Sequence, residues 1–145
     1  MKPKNHEYFM DIALKEAMIA QENGDVPVGA VITHGNKIIG RAHNQVELLK
    51  DPTAHAEMIA ITQSASALGD WRLNDTVLYV TKEPCPMCAG AINLARIPKV
   101  IYGAKDPEGG GKLTVKEVIS GVCGIKCRNV LQSFFITLRK KSNYS

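Results

Sequence analysis

Apolar side chains recur at Phe9, Ile12, Ala13, Ala17 and Ala20, three or four residues apart, so Glu7 to Glu22 predicts an amphipathic helix. Asn23-Gly24 stops it. The spacing then changes. Val28 to Thr33 and Lys37 to Arg41 are strand-like and flank His34-Gly35-Asn36, a hairpin signal. After a polar stretch, Thr53 to about Leu68 reads as a second helix, with Met58, Ile59 and Ile61 among its apolar residues. Thr76 to Thr81 is a β-branched strand. Pro84 and Pro86 punctuate the chain, and Met87 to about Ala95 looks helical, with Pro86 suited to the first turn. Val100 to Gly103 makes a fourth short strand and Asp106 to Gly111 a loop. Val115 to Ser120 reads as a fifth strand, although Thr114-x-x-Glu117 also resembles a capping box. Lys126 to Lys140 closes as an amphipathic helix with Val130, Leu131, Phe134, Phe135 and Leu138 inward.

Strands alternating with helices in this order predict an α/β fold, a five-stranded mixed sheet covered on both faces in a three-layer α/β/α sandwich. No repeat, low-complexity stretch or linker divides the chain, so residues 1–145 read as a single domain with volume for one sizeable core.

Composition narrows the class. At 45% hydrophobic and 22% charged residues the chain is an ordinary globular protein. No apolar run approaches the ~18 residues needed to cross a bilayer. The start, Met1-Lys2-Pro3-Lys4-Asn5, lacks the apolar core of a signal peptide, and a cytoplasmic location follows as the default. Four cysteines do not make a disulfide scaffold, and two of them sit in a C-x-x-C, which in a reducing compartment points to metal or redox chemistry. The net charge of +4 permits a polyanionic partner without demanding one. Lys112, Lys116, Lys126, Arg128, Arg139, Lys140 and Lys141 crowd the last third, either as a solvated helix face and tail or as a nucleic-acid footprint.

The chemistry concentrates in two strings, His55-Ala56-Glu57 and Pro84-Cys85-Pro86-Met87-Cys88. Together they match the H-x-E…P-C-x-x-C pattern of zinc nucleobase deaminases. One imidazole and two thiolates leave the fourth corner of a zinc tetrahedron open for water, as catalytic sites do. His55, Cys85 and Cys88 are therefore the expected ligands of one Zn2+, and Glu57 the spare carboxylate that shuttles protons. Both strings open predicted helices, whose N-terminal dipoles favour negative charge. Taken alone, an H-x-E says little, because a histidine on a helix is usually a surface or satisfied core residue, and a C-x-x-C can be redox-active or half of a structural site. The combination is far more specific. A structural site needs a fourth ligand, for which Cys123 and Cys127 are candidates, although apolar Val122 and Ile125 beside them favour buried packing.

Further residues extend the match. Pro27 to Ile32, Ala42-His43-Asn44, Asp51 to Glu57, Thr81 to Ile92, Ala95-Arg96-Ile97 and Val100 to Asp106 resemble the bacterial tRNA-specific adenosine deaminases. The resemblance runs from about Glu7 to Asp106 and resumes near Lys116, through Cys127 to Ser133-Phe134-Phe135. It implies the cytidine-deaminase-like fold, a homodimer, one zinc per subunit and conversion of adenosine to inosine at the wobble position of a tRNA anticodon loop. Residue by residue, it implies that His55, Cys85 and Cys88 hold the metal, Glu57 moves the proton, Asn44 contacts the target nucleoside and the backbone at Ala56 binds the base. Val28 would line the pocket, Asp106 would lie near the nucleic-acid backbone, and one of Phe134 and Phe135 would meet the RNA. From the residues alone, Asn44 also reads as a turn residue, Val28 as a strand residue, Asp106 as an Asp-Pro turn and at least one of the phenylalanine pair as core.

The chain departs from the family after Asp106, where relatives usually have a longer connection including an Asn-His pair near the substrate. Here Pro107 to Lys112 runs almost directly into the last strand. That shortened wall keeps open an alternative substrate, a small free nucleobase or nucleoside of the guanine or cytosine type. Lys82 is a second departure, where the family usually has an apolar residue. A third reading, a zinc-stabilised RNA-binding module without turnover, leaves Glu57 without a purpose.

Overall fold

The computed structural model describes residues 4–143, with side chains described to residue 141. In chain order the elements are α1 (His6–Glu22), β1 (Gly29–His34), β2 (Lys37–His43), α2 (Val46–Leu49), α3 (Ala56–Leu68), β3 (Thr76–Lys82), α4 (Pro86–Ala95), β4 (Lys99–Ala104), β5 (Glu117–Ser120) and α5 (Gly124–Asn143). They build one five-stranded sheet in the order β2-β1-β3-β4-β5. β1 is antiparallel to both of its neighbours, whereas β3, β4 and β5 run parallel. Helices α1 and α5 cover one face, and α3 and α4 cover the other. This is the predicted mixed α/β/α sandwich.

Local chemistry explains most boundaries. Asn5 caps α1, its Oδ1 accepting the Tyr8 N–H at 2.9 Å, and Gly24 at φ +79° ends the turn beyond Asn23. The first apolar stripe is buried as predicted, with Phe9, Ala13, Ala17 and Ala20 at 2% exposure or less. The hairpin closes between His34 and Lys37, with Gly35 supplying a positive φ of 64°. β1 is buried from Gly29 to Thr33, as a strand flanked on both sides and covered on both faces must be. Glycines on the strands, Gly29 and Gly103 among them, let helices approach the sheet. A Cβ on Gly29 would meet the backbone of Ala13 and Ala17, and one on Gly103 would meet the Cys127 side chain.

Four elements differ from the sequence reading. Helix α3 begins at Ala56 rather than Thr53, because Asp51 Oδ1 accepts both the backbone N–H and the hydroxyl of Thr53 at 2.8 Å and holds that segment in a turn. The short helix α2 falls in the stretch read as merely polar. β5 covers only Glu117–Ser120, a largely exposed edge strand, so Glu117 is a strand residue and no capping box forms at Thr114. Helix α5 starts at Gly124, and its inward stripe holds only through its first half: Leu131 is buried, but Phe135 is 42% and Leu138 48% exposed. Its later turns extend past the sheet and over the cavity described next.

The strand directions bring four chain crossings to one end of the sheet. Gly29 pairs with His43, Ala30 with Val80, and Lys82 with Ala104. The start of β1 and the ends of β2, β3 and β4 therefore lie side by side, where ligands gather in α/β sheets.

Candidate active site

His55 is the N-cap residue of α3 and Cys85 the N-cap residue of α4, both in extended backbone conformations. Pro86 occupies the first turn of α4, where its missing N–H costs nothing, and Cys88 follows within that turn. Two helix starts thus aim at one point. His55 Nδ1 lies 3.6 Å from Cys85 Sγ and 3.5 Å from Cys88 Sγ, and the three donor atoms lie within 4.8 Å of one another. They form a group able to hold a metal ion. Cys127 is buried against Gly103, its thiol pushed up to about 12 by burial, and Cys123 is turned toward Asp11. Both are packing cysteines and neither joins the cluster.

Glu57 lies two residues beyond His55, in the first turn of α3, and is 4% exposed. Burial pushes its carboxyl up, against the opposing pull of its own backbone N–H and of His55 and Cys88. Burial likewise pushes the Cys88 thiol up, reinforced by the charges of Glu57 and Cys85. A pocket that penalises two neighbouring anions is one that a divalent cation stabilises, since the ion's charge inverts that logic.

A cavity of about 460 Å³ opens over the cluster. Its volume falls in the range of ~300–1,000 Å³ usual for small-molecule sites. His55, Cys85 and Glu57 line it, with Val28 and Asn44 from the strand ends and Phe134, Phe135 and Leu138 from α5. The two phenylalanine rings meet edge to face, 5.4 Å between centroids. Asn44 is 7% exposed, and its Oδ1 accepts the Ala56 N–H at 2.8 Å. It thus satisfies the first orphan donor of α3 while its amide nitrogen has no protein partner among the described residues. Ala56 is fully buried and is not among the cavity-lining residues.

Asp106 lies beside the cavity rather than on its wall. The Glu108 N–H, followed by the Lys82 ammonium, holds its carboxyl below the usual range, and its own N–H donates to Glu83 Oε1 at 3.0 Å. The short connection after it is tightly seated. The Gly111 N–H donates to the Pro84 carbonyl at 2.9 Å, and a Cβ on Gly111 would stand within 2.5–2.8 Å of Ala89, Pro86 and the Cys85 carbonyl. Asn93 of α4 then pins the chain on both sides, donating to the Lys112 carbonyl and accepting the Thr114 N–H at 2.9 Å each.

Four charged cavity residues were not expected from sequence: Asp25, Glu47, Lys82 and Glu83. Lys82 and Glu83 adjoin the Pro84 string, and Lys82 stood out as a departure from the family. Nothing local marks Asp25 and Glu47, which meet through an Asp25 Oδ2 that accepts the Glu47 N–H at 2.9 Å.

Residues 4–139 match the family of MafB19-like deaminases. The chain is 48% identical over 147 aligned positions to the tRNA-specific adenosine deaminase of Bacillus subtilis (strain 168), covering 93% of this chain and 91% of that protein. A solved chain from work on A-to-I editing by tRNA:A34 deaminases at the wobble position of transfer RNA superposes with a TM-score of 0.81 at 40% identity. That match covers 86% of this chain and 99% of the other. Guanine deaminase from Bacillus subtilis superposes at a TM-score of 0.67 and 44% identity, over 70% of this chain and 65% of that one. With a cluster able to hold a metal ion, a buried carboxylate and near-complete alignment to such proteins, the chain belongs to the family of tRNA-specific adenosine deaminases.

Proposed function

We propose that this deaminase holds one zinc ion per subunit and converts adenosine to inosine at the wobble position of a tRNA anticodon loop. The observation that carries the chemistry is the His55–Cys85–Cys88 cluster beside a buried Glu57. A tetrahedral ion with Zn–N of about 2.0–2.1 Å and Zn–S of about 2.3 Å sets its nitrogen and sulfur donors about 3.6 Å apart. His55 Nδ1 stands 3.6 and 3.5 Å from the two sulfurs, so the donor set fits zinc.

When bound, zinc with a vacant position activates water as a nucleophile at neutral pH. Glu57 does the proton work. Its burial keeps the carboxyl basic enough to take one proton from the attacking water and pass it to the purine ring nitrogen, then to take the second proton from the newly formed C6 hydroxyl and deliver it to the departing amine. Asn44 offers its amide nitrogen to the nucleoside while its oxygen anchors α3. Val28, Phe134 and Phe135 supply apolar surface for a base splayed out of a single-stranded loop, and each stacked base contributes about 1–3 kcal/mol. The Ala56 backbone supports the same pocket from the start of α3.

A homodimer goes with this reading. Leu94 of α4 is 77% exposed and Trp71, in the connection after α3, 52% exposed, and with Ile61 of α3 they form an apolar face suited to a second copy. A tRNA substrate places the enzyme in the cytoplasm, and no described helix is long and apolar enough to cross a membrane.

The experiment incubates zinc-loaded protein with an arginine anticodon stem-loop and, separately, with guanine, cytosine and adenosine, and measures ammonia. Release from the stem-loop, with inosine formed in it, supports the assignment. Release from a free base alone replaces it with the small-substrate reading that the guanine deaminase likeness represents.

A further inference from the structure

The charged side chains around the cavity are unevenly matched. Asp25, Glu47, Glu57 and Glu83 line it, and among the described residues Lys82 is the one lysine or arginine that does so. An acidic cavity repels a phosphodiester strand unless a cation meets the phosphate. Lys82 is placed to be that cation. Its side chain is 29% exposed, and its Nζ lies 3.3 Å from Asp106 Oδ2, a single contact for a group with three N–H donors. Asp106 does not depend on Lys82 for its position. Its Oδ1 accepts the Glu108 N–H at 2.9 Å, and its N–H donates to Glu83. The ammonium can therefore turn to a second anion without releasing the loop, and its four-carbon stem gives it reach.

We propose that Lys82 binds a phosphate flanking the target nucleoside and so favours a nucleic-acid strand over a free base or nucleoside. The proposal rests on the tRNA reading above and deepens it. A base stacked near Phe134 and Phe135 carries its own phosphates to the rim of this cavity, where a neutral side chain in place of Lys82 leaves no lysine or arginine among the lining residues to receive them.

The test compares zinc-loaded wild type, Lys82→Met and Lys82→Arg. Anisotropy follows binding of a labelled anticodon stem-loop between 50 and 200 mM salt, and ammonia release is measured alongside. One lost phosphate contact to a single strand flattens the log–log salt slope by about 0.7, so over this range wild type loses about 2.6-fold more affinity than Lys82→Met. KM for the stem-loop rises in Lys82→Met more than kcat falls, and Lys82→Arg restores the slope. A Lys82→Met protein with the wild-type slope but a lower melting temperature overturns the proposal and leaves Lys82 as a loop anchor. Absence of ammonia from wild type on the stem-loop defeats the tRNA reaction separately, while the slope still decides whether Lys82 meets a phosphate.

Discussion

Asn44 and Ala56 are joined across twelve residues by a 2.8 Å bond from the Ala56 N–H to the Asn44 side-chain oxygen. The bond ties the end of β2 to the first turn of α3, the helix that presents His55 and Glu57. Two roles for Asn44 can therefore be separated. Asn44→Ala leaves a buried N–H unpaired, which costs about 1–3 kcal/mol. Asn44→Asp keeps the acceptor at a helix N-terminus, where negative charge is favoured, but loses the amide donor. Thermal melts should show Asn44→Ala well below wild type and Asn44→Asp close to it, while inosine formation falls sharply in both. Full activity in Asn44→Asp would show that only the oxygen matters.

Glu57 and the metal should separate in the same way. Glu57→Gln keeps the volume and leaves His55, Cys85 and Cys88 intact, so zinc content should stay near one per chain. Ammonia release should drop by about 10²–10⁴, the range for loss of a positioned acid–base group. Chelation should abolish activity and lower the melting temperature, because an ion that binds only the folded state stabilises it by mass action. Zinc added back should restore both in wild type and only the stability in Glu57→Gln.

A third prediction concerns the network beneath β2, the strand that ends just before Asn44. Glu16 on α1 is 7% exposed and bonds His43 Nδ1 at 2.9 Å and Arg41 Nε at 2.8 Å. Burial pushes its carboxyl up, but the bonds to His43 and Arg41 outweigh this and hold it below the ordinary value of 4.5. A depressed carboxylate contributes stability that is fully present above its unfolded pKa and is lost as pH falls through the folded one. Glu16→Gln should therefore lower the melting temperature at pH 7. The gap to wild type should shrink as pH falls below 4.5 and toward the still lower folded pKa. A gap independent of pH would assign the effect to packing.

The site was legible in sequence where chemistry restricts residue type over a short span. An imidazole with a carboxylate two positions on, and two thiolates three apart after a proline, leave few alternatives to a metal-assisted hydrolase. The core was legible through period: Phe9, Ala13 and Ala17 repeat at helical spacing, and all three are buried. What failed was whatever depends on where an apolar face points. Phe135 and Leu138 sit on the same stripe as Leu131, but the sheet lies under Leu131 and the cavity lies under them. β5 was foreseen but begins two residues late, because an exposed edge strand lacks the alternation that marks a half-buried one. Asp25 and Glu47 reach the cavity only through tertiary closure, and no spacing along the chain announces it.

The short connection after Asp106 supplies the last prediction. Gly111 has an ordinary backbone conformation, so its need for glycine is spatial: a Cβ there collides with Ala89, Pro86 and the Cys85 carbonyl. Two of the three contacts are backbone atoms of the segment that carries Cys85, and they cannot swing aside as a flexible side chain would. Gly111→Ala must therefore push that segment or the connection away, misplacing the sulfur relative to His55 Nδ1. Zinc affinity should fall and activity with it. Gly90 is the control. It lies within α4, two residues beyond Cys88, and a Cβ there meets nothing within 4 Å. Gly90→Ala should stabilise the chain by about 0.5–1 kcal/mol through helix propensity, with zinc affinity unchanged. Competition against a chromophoric chelator reads the affinities and thermal melts read the stability. Equal zinc affinity in the two variants would show that the connection packs beside the metal loop without supporting it.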